Sequence, residues 1–222
     1  MTQFSAILVG NESLTRHAAE TLLARGHRIK AIVTRSPELR DWAAGAGLRV
    51  EDQDAPVPAD APVADWLFSV ANLSILRPEM LARGQRGAIN FHDGPLPRLA
   101  GLNAPVWAII GGEAQHGVTW HMIEGGVDEG DILTQRLFEI GSDDTALTLN
   151  ARCFARGAES FADVVAQLEA GGPQRVKQDL SLRSYVGKDK RPEAASVLDF
   201  SRSVAEIGAL VRGLDHGSYW NP

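Results

Sequence analysis

A single cysteine, Cys153, leaves this chain of 222 residues no internal disulfide to form, which fits a reducing compartment. Long hydrophobic runs are missing as well: nothing approaches the ~18 consecutive apolar residues of a membrane span. The opening MTQFSAILVG has neither a basic region ahead of its short apolar run nor a small-residue cleavage site, so no secretory leader is expected. Positive charge is scarce, with 22 Lys and Arg against 28 Asp and Glu and no Lys/Arg block, which argues against a nucleic acid as the main partner. A soluble, cytoplasmic location is the expectation. What is present is ordinary globular composition, 44% hydrophobic and 23% charged, on a chain long enough for one sizeable core and a short appendage. There is no internal repeat and no low-complexity segment.

The first hundred residues alternate strand-like and helix-like patterns. Residues 5–9 (SAILV), 29–33 (IKAIV), 65–71 (DWLFSVA) and 87–91 (GAINF) read as strands. Between them Ser13 is a candidate N-cap for a helix through Arg25, Ser36-Pro37 opens a second helix, and Arg77-Pro78 a short third one. This alternation predicts an α/β fold, a doubly wound and mostly parallel Rossmann-like sheet, whose ligands sit at the carboxyl ends of the strands. Beyond Pro105 come a helix (VWAIIGG), strands over 117–123 and 132–140, and a long amphipathic helix from the SDDT cap at 142–145 to about Ala170. From Ser181 the composition turns to a polar, basic connector, followed by a last helix in VLDFSRSVAEIGALVRGLD. We expect a catalytic domain over 1–182 and a connector with the start of a C-terminal subdomain over 183–222, part of a longer multidomain protein.

At the end of the fourth strand stands NFHDGPLPRLAGLNAP, residues 90–105, with three prolines and two glycines. Residues i and i+2 of a strand share a face, so Asn90 and His92 project together while Ile89 and Phe91 face the packed layer. An amide and an imidazole can together hold an oxyanion and move a proton. The Asp93-Gly94-Pro95-Leu96-Pro97 loop that follows is stiffened by its prolines, as a preorganised site requires. The plainer reading is a Pro-rich turn with an incidental His. A second polar loop, EGGVDEGD at 124–131, sets four carboxylates and three glycines between two strands; it is either an acidic turn or a platform for a flat ligand with an Asp to serve an imidazole.

Taken together, N90-F-H92, L96-P97-R98, Gly101, G117-V-T119 and G126-V-D128-E-G130-D131-I-L133 resemble the folate-dependent formyltransferases, over residues 4–170 and again in RPEAASVLDFSRSVAEIGALVRG. The resemblance implies an enzyme that transfers a formyl group from 10-formyltetrahydrofolate to a primary amine, releasing tetrahydrofolate and needing no metal. It implies that Asn90, His92 and Asp128 are catalytic, with Asn90 and His92 donating to the formyl oxygen and Asp128 supporting the imidazole or taking up the amine proton. The pterin would be held by Ser74, Ile75 and Leu76 and by Glu124, Gly125, Gly126 and Val127. Gly10, Asn11, Arg98 and Asn103 would meet the acceptor, with Arg98 read equally as a solvated loop charge. The D-G-P-L-P after His92 and Leu99-Ala100 depart from the family pattern and alter the floor of the acceptor site. The low positive charge favours a small acceptor, an aminoacyl group on a carrier protein of a peptide synthetase or an amino sugar nucleotide; methionyl-tRNA is the alternative.

Two readings of other classes compete. A non-catalytic domain binding folate or a partner protein would keep the fold alone. A metal hydrolase built on His92-Asp93, His116 and His121 lacks the usual ligand spacing, and His121 reads as one residue of a half-exposed strand. Trp42, Trp66, Trp107 and Trp120 are expected to pack, Trp220 to pack or to meet a partner, Asp131 to support the acidic loop, and Cys153 to be a small buried apolar residue.

Overall fold

A computed structural model describes residues 2–192 and 197–217. Its strands are β1 (Ser5–Val9), β2 (Arg28–Thr34), β3 (Val50–Asp52), β4 (Ala64–Ser69), β5 (Gly84–His92), β6 (Ala100–Gly101), β7 (Gln115–Met122), β8 (Ile132–Glu139) and β9 (Tyr185–Val186). The helices are α1 (Ser13–Ala24), α2 (Pro37–Gly45), α3 (Pro78–Leu81), α4 (Ala104–Ile110), α5 (Ala146–Glu169) and α6 (Val204–Gly213). Seven strands form one sheet in the order β3-β2-β1-β4-β5-β7-β8, parallel through β5 and antiparallel at β7 and β8. The expected α/β class and mostly parallel sheet are what the chain forms. Trp220 lies outside the described residues, as does 193–196 of the connector. Among the described residues no helix is long and apolar enough to cross a membrane.

Alternation along the strands builds two cores. Ala6 and Leu8 of β1, Trp66 and Phe68 of β4 and Ile89 and Phe91 of β5 join the larger core beneath α1 and α5, while Ile7, Val9, Leu67 and Ala88 turn to the opposite face. Helix α5 meets the larger core through Cys153, Gly157, Phe161, Val164, Val165 and Leu168, a stripe at helical spacing, while Leu149 packs on α4. Thr145, the last residue of the expected SDDT cap, forms a capping box with Thr148. A Cβ on Gly157 would come within 2.5 Å of the Phe91 ring, so the bare backbone there lets β5 seat against the helix. With Ile89 and Phe91 held on that side, Asn90 and His92 must face the other.

Three differences from expectation have local causes. Strand β3 is three residues with no apolar run, recruited by pairing to Ile32, Val33 and Thr34 of β2. Helix α1 takes Glu12 as its N-cap, with Ser13 already helical. Residues 174–186, read partly as connector, return to the catalytic end: Val176 bridges to Ile132, and β9 pairs with β6. The boundary expected at 182 falls within this strap, and α6 packs on α4, where Gly213 abuts Ile110.

Candidate active site

Antiparallel pairing of β5 with β7 sets Asn90 opposite His121 and His92 opposite Thr119, all at the carboxyl end of β5. Asn90 Nδ2 lies 3.1 Å from His121 Nε2. His121 Nδ1 is 2.8 Å from the Met122 carbonyl and donates to it, which leaves Nε2 to face the amide. The expectation of an ordinary half-exposed strand residue fails for His121: it is 2% exposed and inside the cluster.

His92 is buried, and its Nε2–H donates to the Leu99 carbonyl at 2.8 Å. Its other nitrogen, Nδ1, lies 3.6 Å from Asp128 Oδ2 and 3.8 Å from Asp93 Oδ1. The second oxygen of Asp128 lies 3.4 Å from His121 Nε2, so two imidazoles flank one carboxylate. Asp128 Oδ2 also accepts the Gly101 N–H at 2.8 Å. Leu99 and Asp128, which meet His92 at Nε2 and Nδ1, both have φ of 57°, a left-handed backbone that non-glycine residues adopt at a cost and that clusters at functional sites. Burial alone would raise the Asp128 carboxyl; the neighbouring His121 and His92 imidazoles and the Gly101 N–H outweigh it and bring the pKa down to about 2.

The loop after His92 is fixed through its main chain. Thr119 Oγ1 donates to the Gly94 carbonyl at 2.7 Å and accepts from Leu96 N at 3.2 Å, and Gln135 Nε2 donates to the Leu96 carbonyl at 2.8 Å. The strap braces the acidic loop: Gln178 Nε2 donates to the carbonyls of Asp128 and Gly130, Arg183 to that of Val127, and Arg175 pairs with Glu124 and Asp131. Ser184 Oγ accepts the Leu99 N–H at 2.8 Å.

Of the other predicted residues, Ile75 is 82% exposed at the end of β4 and Val127 is 40% exposed on the acidic loop, while Leu76 packs in the same small core as Ile123 just before that loop. Ser74 accepts from Arg35 Nη2 at 2.7 Å. Glu124 is committed to Arg175, and Gly125 takes a φ of 69°. Gly10 follows β1 and donates to the Val33 carbonyl. The Asn11 amide gives one hydrogen bond to Gln53 and accepts from Thr34 Oγ1 and Arg35 N. Arg98 pairs with Glu113, and Asn103 begins α4 without a side-chain cap. Among the described residues no three His, Cys, Asp or Glu side chains group in a way that could hold a metal.

The formyl transferase family model matches residues 22–165, which contain every group of the cluster. The chain belongs to the formyl transferase family. Among its relatives, the methionyl-tRNA formyltransferase of Anaeromyxobacter dehalogenans strain 2CP-1 is 35% identical over 171 residues, 73% of this chain and 55% of that one. The methionyl-tRNA formyltransferase of Geobacter metallireducens is 30% identical over 232 residues, 96% of this chain and 74% of that one. The chain thus spans little more than half the length of the first of these relatives. In fold it matches the N-formyltransferase from Helicobacter canadensis, solved with folinic acid and dTDP-3-aminofucose, with a TM-score of 0.78 over 96% of this chain and 80% of that one, at 19% identity.

Proposed function

We propose that this formyl transferase moves a formyl group from 10-formyltetrahydrofolate to the primary amine of a small acceptor. The observation that carries the reading is the meeting of Asn90, His92 and Asp128, from stretches of sequence 36 positions apart, around the shared Asp128 carboxylate. The residues at hand also fit a reduced pterin. Val127, next to Asp128, and Ile75, on the loop after β4, leave apolar side chains exposed, although a protein in water gains by covering such groups.

When bound, 10-formyltetrahydrofolate supplies an activated one-carbon unit for an amine to attack. The protein's task is then to steady negative charge on the formyl oxygen and to manage the amine protons. The Asn90 amide, oriented by His121, has a second N–H to give, and donors preorganised in this way contribute about a hundredfold to a thousandfold each. Asp128 stays ionised at neutral pH and acts as a fixed negative charge between the imidazoles. With a pKa of about 2 it is a weak base and a poor resting place for a proton.

For the acceptor, an amino sugar nucleotide agrees with the net charge of −6 and with the ligand of the H. canadensis protein. An aminoacyl group on a carrier protein satisfies the same chemistry. Methionyl-tRNA is the second reading, favoured by the sequence relatives. Incubating the purified chain with 10-formyltetrahydrofolate and each of these acceptors, with mass spectrometry of the acceptor, tests the reading. A mass gain of one formyl group on the sugar nucleotide or the carrier protein supports it and a gain on methionyl-tRNA alone supports the second reading; no gain on any amine and no tetrahydrofolate above the background of hydrolysis removes both.

A further inference from the structure

A proton has to leave the cluster in each turnover, and the geometry leaves few routes for it. This argument rests on the formyl-transfer reading. An amine acceptor enters neutral water as an ammonium. When the bond forms between its nitrogen and the formyl carbon, and the bond from that carbon to N10 of the folate breaks, one amine proton ends on N10 and another must go to solvent.

His92 can exchange a proton only at Nδ1, because Nε2–H is given to the Leu99 carbonyl. Two carboxylates lie within 4 Å of Nδ1, Asp128 at 3.6 Å and Asp93 at 3.8 Å. The Asp128 side chain is 9% exposed and its nearer oxygen already takes the Gly101 N–H, whereas the Asp93 side chain is 29% exposed. Asp93 is also held in place by groups that do little else. Its carbonyl accepts from His116 Nε2 at 2.8 Å and from Cys153 Sγ at 3.8 Å, two fully buried side chains from β7 and α5. His116 Nδ1 has no hydrogen-bond partner, and leaving a buried polar group unpaired lowers stability. His116 therefore sits there at a cost in stability, and its one hydrogen bond fixes Asp93.

We propose that Asp93 is the group through which His92 exchanges its proton with water, a second carboxylate serving the imidazole on the solvent side as Asp128 serves it on the buried side. The groups facing this pair are Asp128 from the acidic loop, His121 of β7 beyond it, and His116 and Cys153 behind the Asp93 main chain. Burial pushes His116 down and the Cys153 thiol up, so neither competes for the proton near neutral pH.

Exchange of the His92 Nδ1 proton with water, followed by NMR on the ligand-free full chain with nitrogen-15 histidine, reads this without turnover. Asp93→Asn should slow the exchange roughly tenfold or more, and Asp93→Glu should restore it to within about threefold, with unfolding midpoints unchanged in both. Exchange in Asp93→Asn as fast as in the unaltered chain, or as slow in Asp93→Glu as in Asp93→Asn, overturns the assignment. No folate or amine is present, so the outcome is separate from whether the chain transfers a formyl group.

Discussion

Asn90 and His121, 31 positions apart, meet across the β5–β7 pair with Nδ2 and Nε2 at 3.1 Å. The imidazole is fixed by the Met122 carbonyl and in turn fixes which way the amide points. Replacing His121 with Phe keeps a ring in the space but removes this partner and strips one oxygen of Asp128. Formyl transfer should fall by about tenfold or more, with the loss in kcat and little change in KM for the folate, since a misdirected donor costs about 1–3 kcal/mol. Steady-state kinetics of the variant checks this.

Gly101 has a φ of 99°, its N–H serves Asp128, and a Cβ there would come within 2.1 Å of the Val186 carbonyl. Gly101→Ala should part β6 from β9 and withdraw the donor, lowering both the urea midpoint and the transfer rate. Gly157→Ala, which crowds the Phe91 ring on the far face of β5, should cost about 1–3 kcal/mol of stability with a smaller effect on rate per folded molecule.

Asp128 has a folded pKa of about 2, below its ordinary 3.8, so the unfolded chain binds the proton more readily. The stability this contributes, about 2 kcal/mol, is complete above the unfolded value and is lost as pH falls toward 2. The difference in unfolding free energy between the unaltered chain and Asp128→Asn should therefore stay level from pH 6 to about pH 5 and shrink as pH falls from there toward 2, as urea titrations at several pH values would read.

At the opposite end of the sheet, Glu169 accepts from Arg25 Nε at 3.0 Å and from His27 Nε2 at 3.1 Å, and His27 Nδ1 accepts the Phe4 N–H. Burial lowers the His27 pKa, against the pull of Glu169. Its neutral form therefore favours folding above pH 6.5, and that contribution declines as pH drops below 6.5 toward the folded value. Glu169→Leu should cost about 1–3 kcal/mol by leaving the buried His27 N–H unmatched, while transfer per folded molecule stays near normal. Urea unfolding beside a rate assay separates the two effects.

Much of the architecture was legible because its signals are periodic. Short apolar runs in SAILV and GAINF marked strands, and the two-residue spacing of Asn90 and His92 put them on one face before any fold was known. His121 was not legible: one His between Trp120 and Met122 carries no local signal, and its place beside Asn90 comes only from the antiparallel register of β7. The strap escaped for a related reason. Gln178 and Ser184 bind main-chain groups of loops far away in sequence, and such bonds leave no pattern in a polar stretch. Asp93 read as part of a stiff turn because its position is set by His116 and Cys153, from two other elements.

The central claim, that Asn90, His92 and Asp128 form one formyl-transfer centre, is tested most directly by single-turnover transfer from 10-formyltetrahydrofolate in Asn90→Ala and His92→Ala, each first shown to be folded. The account predicts a rate reduced about a hundredfold or more in each. Near-normal transfer in both variants would contradict it.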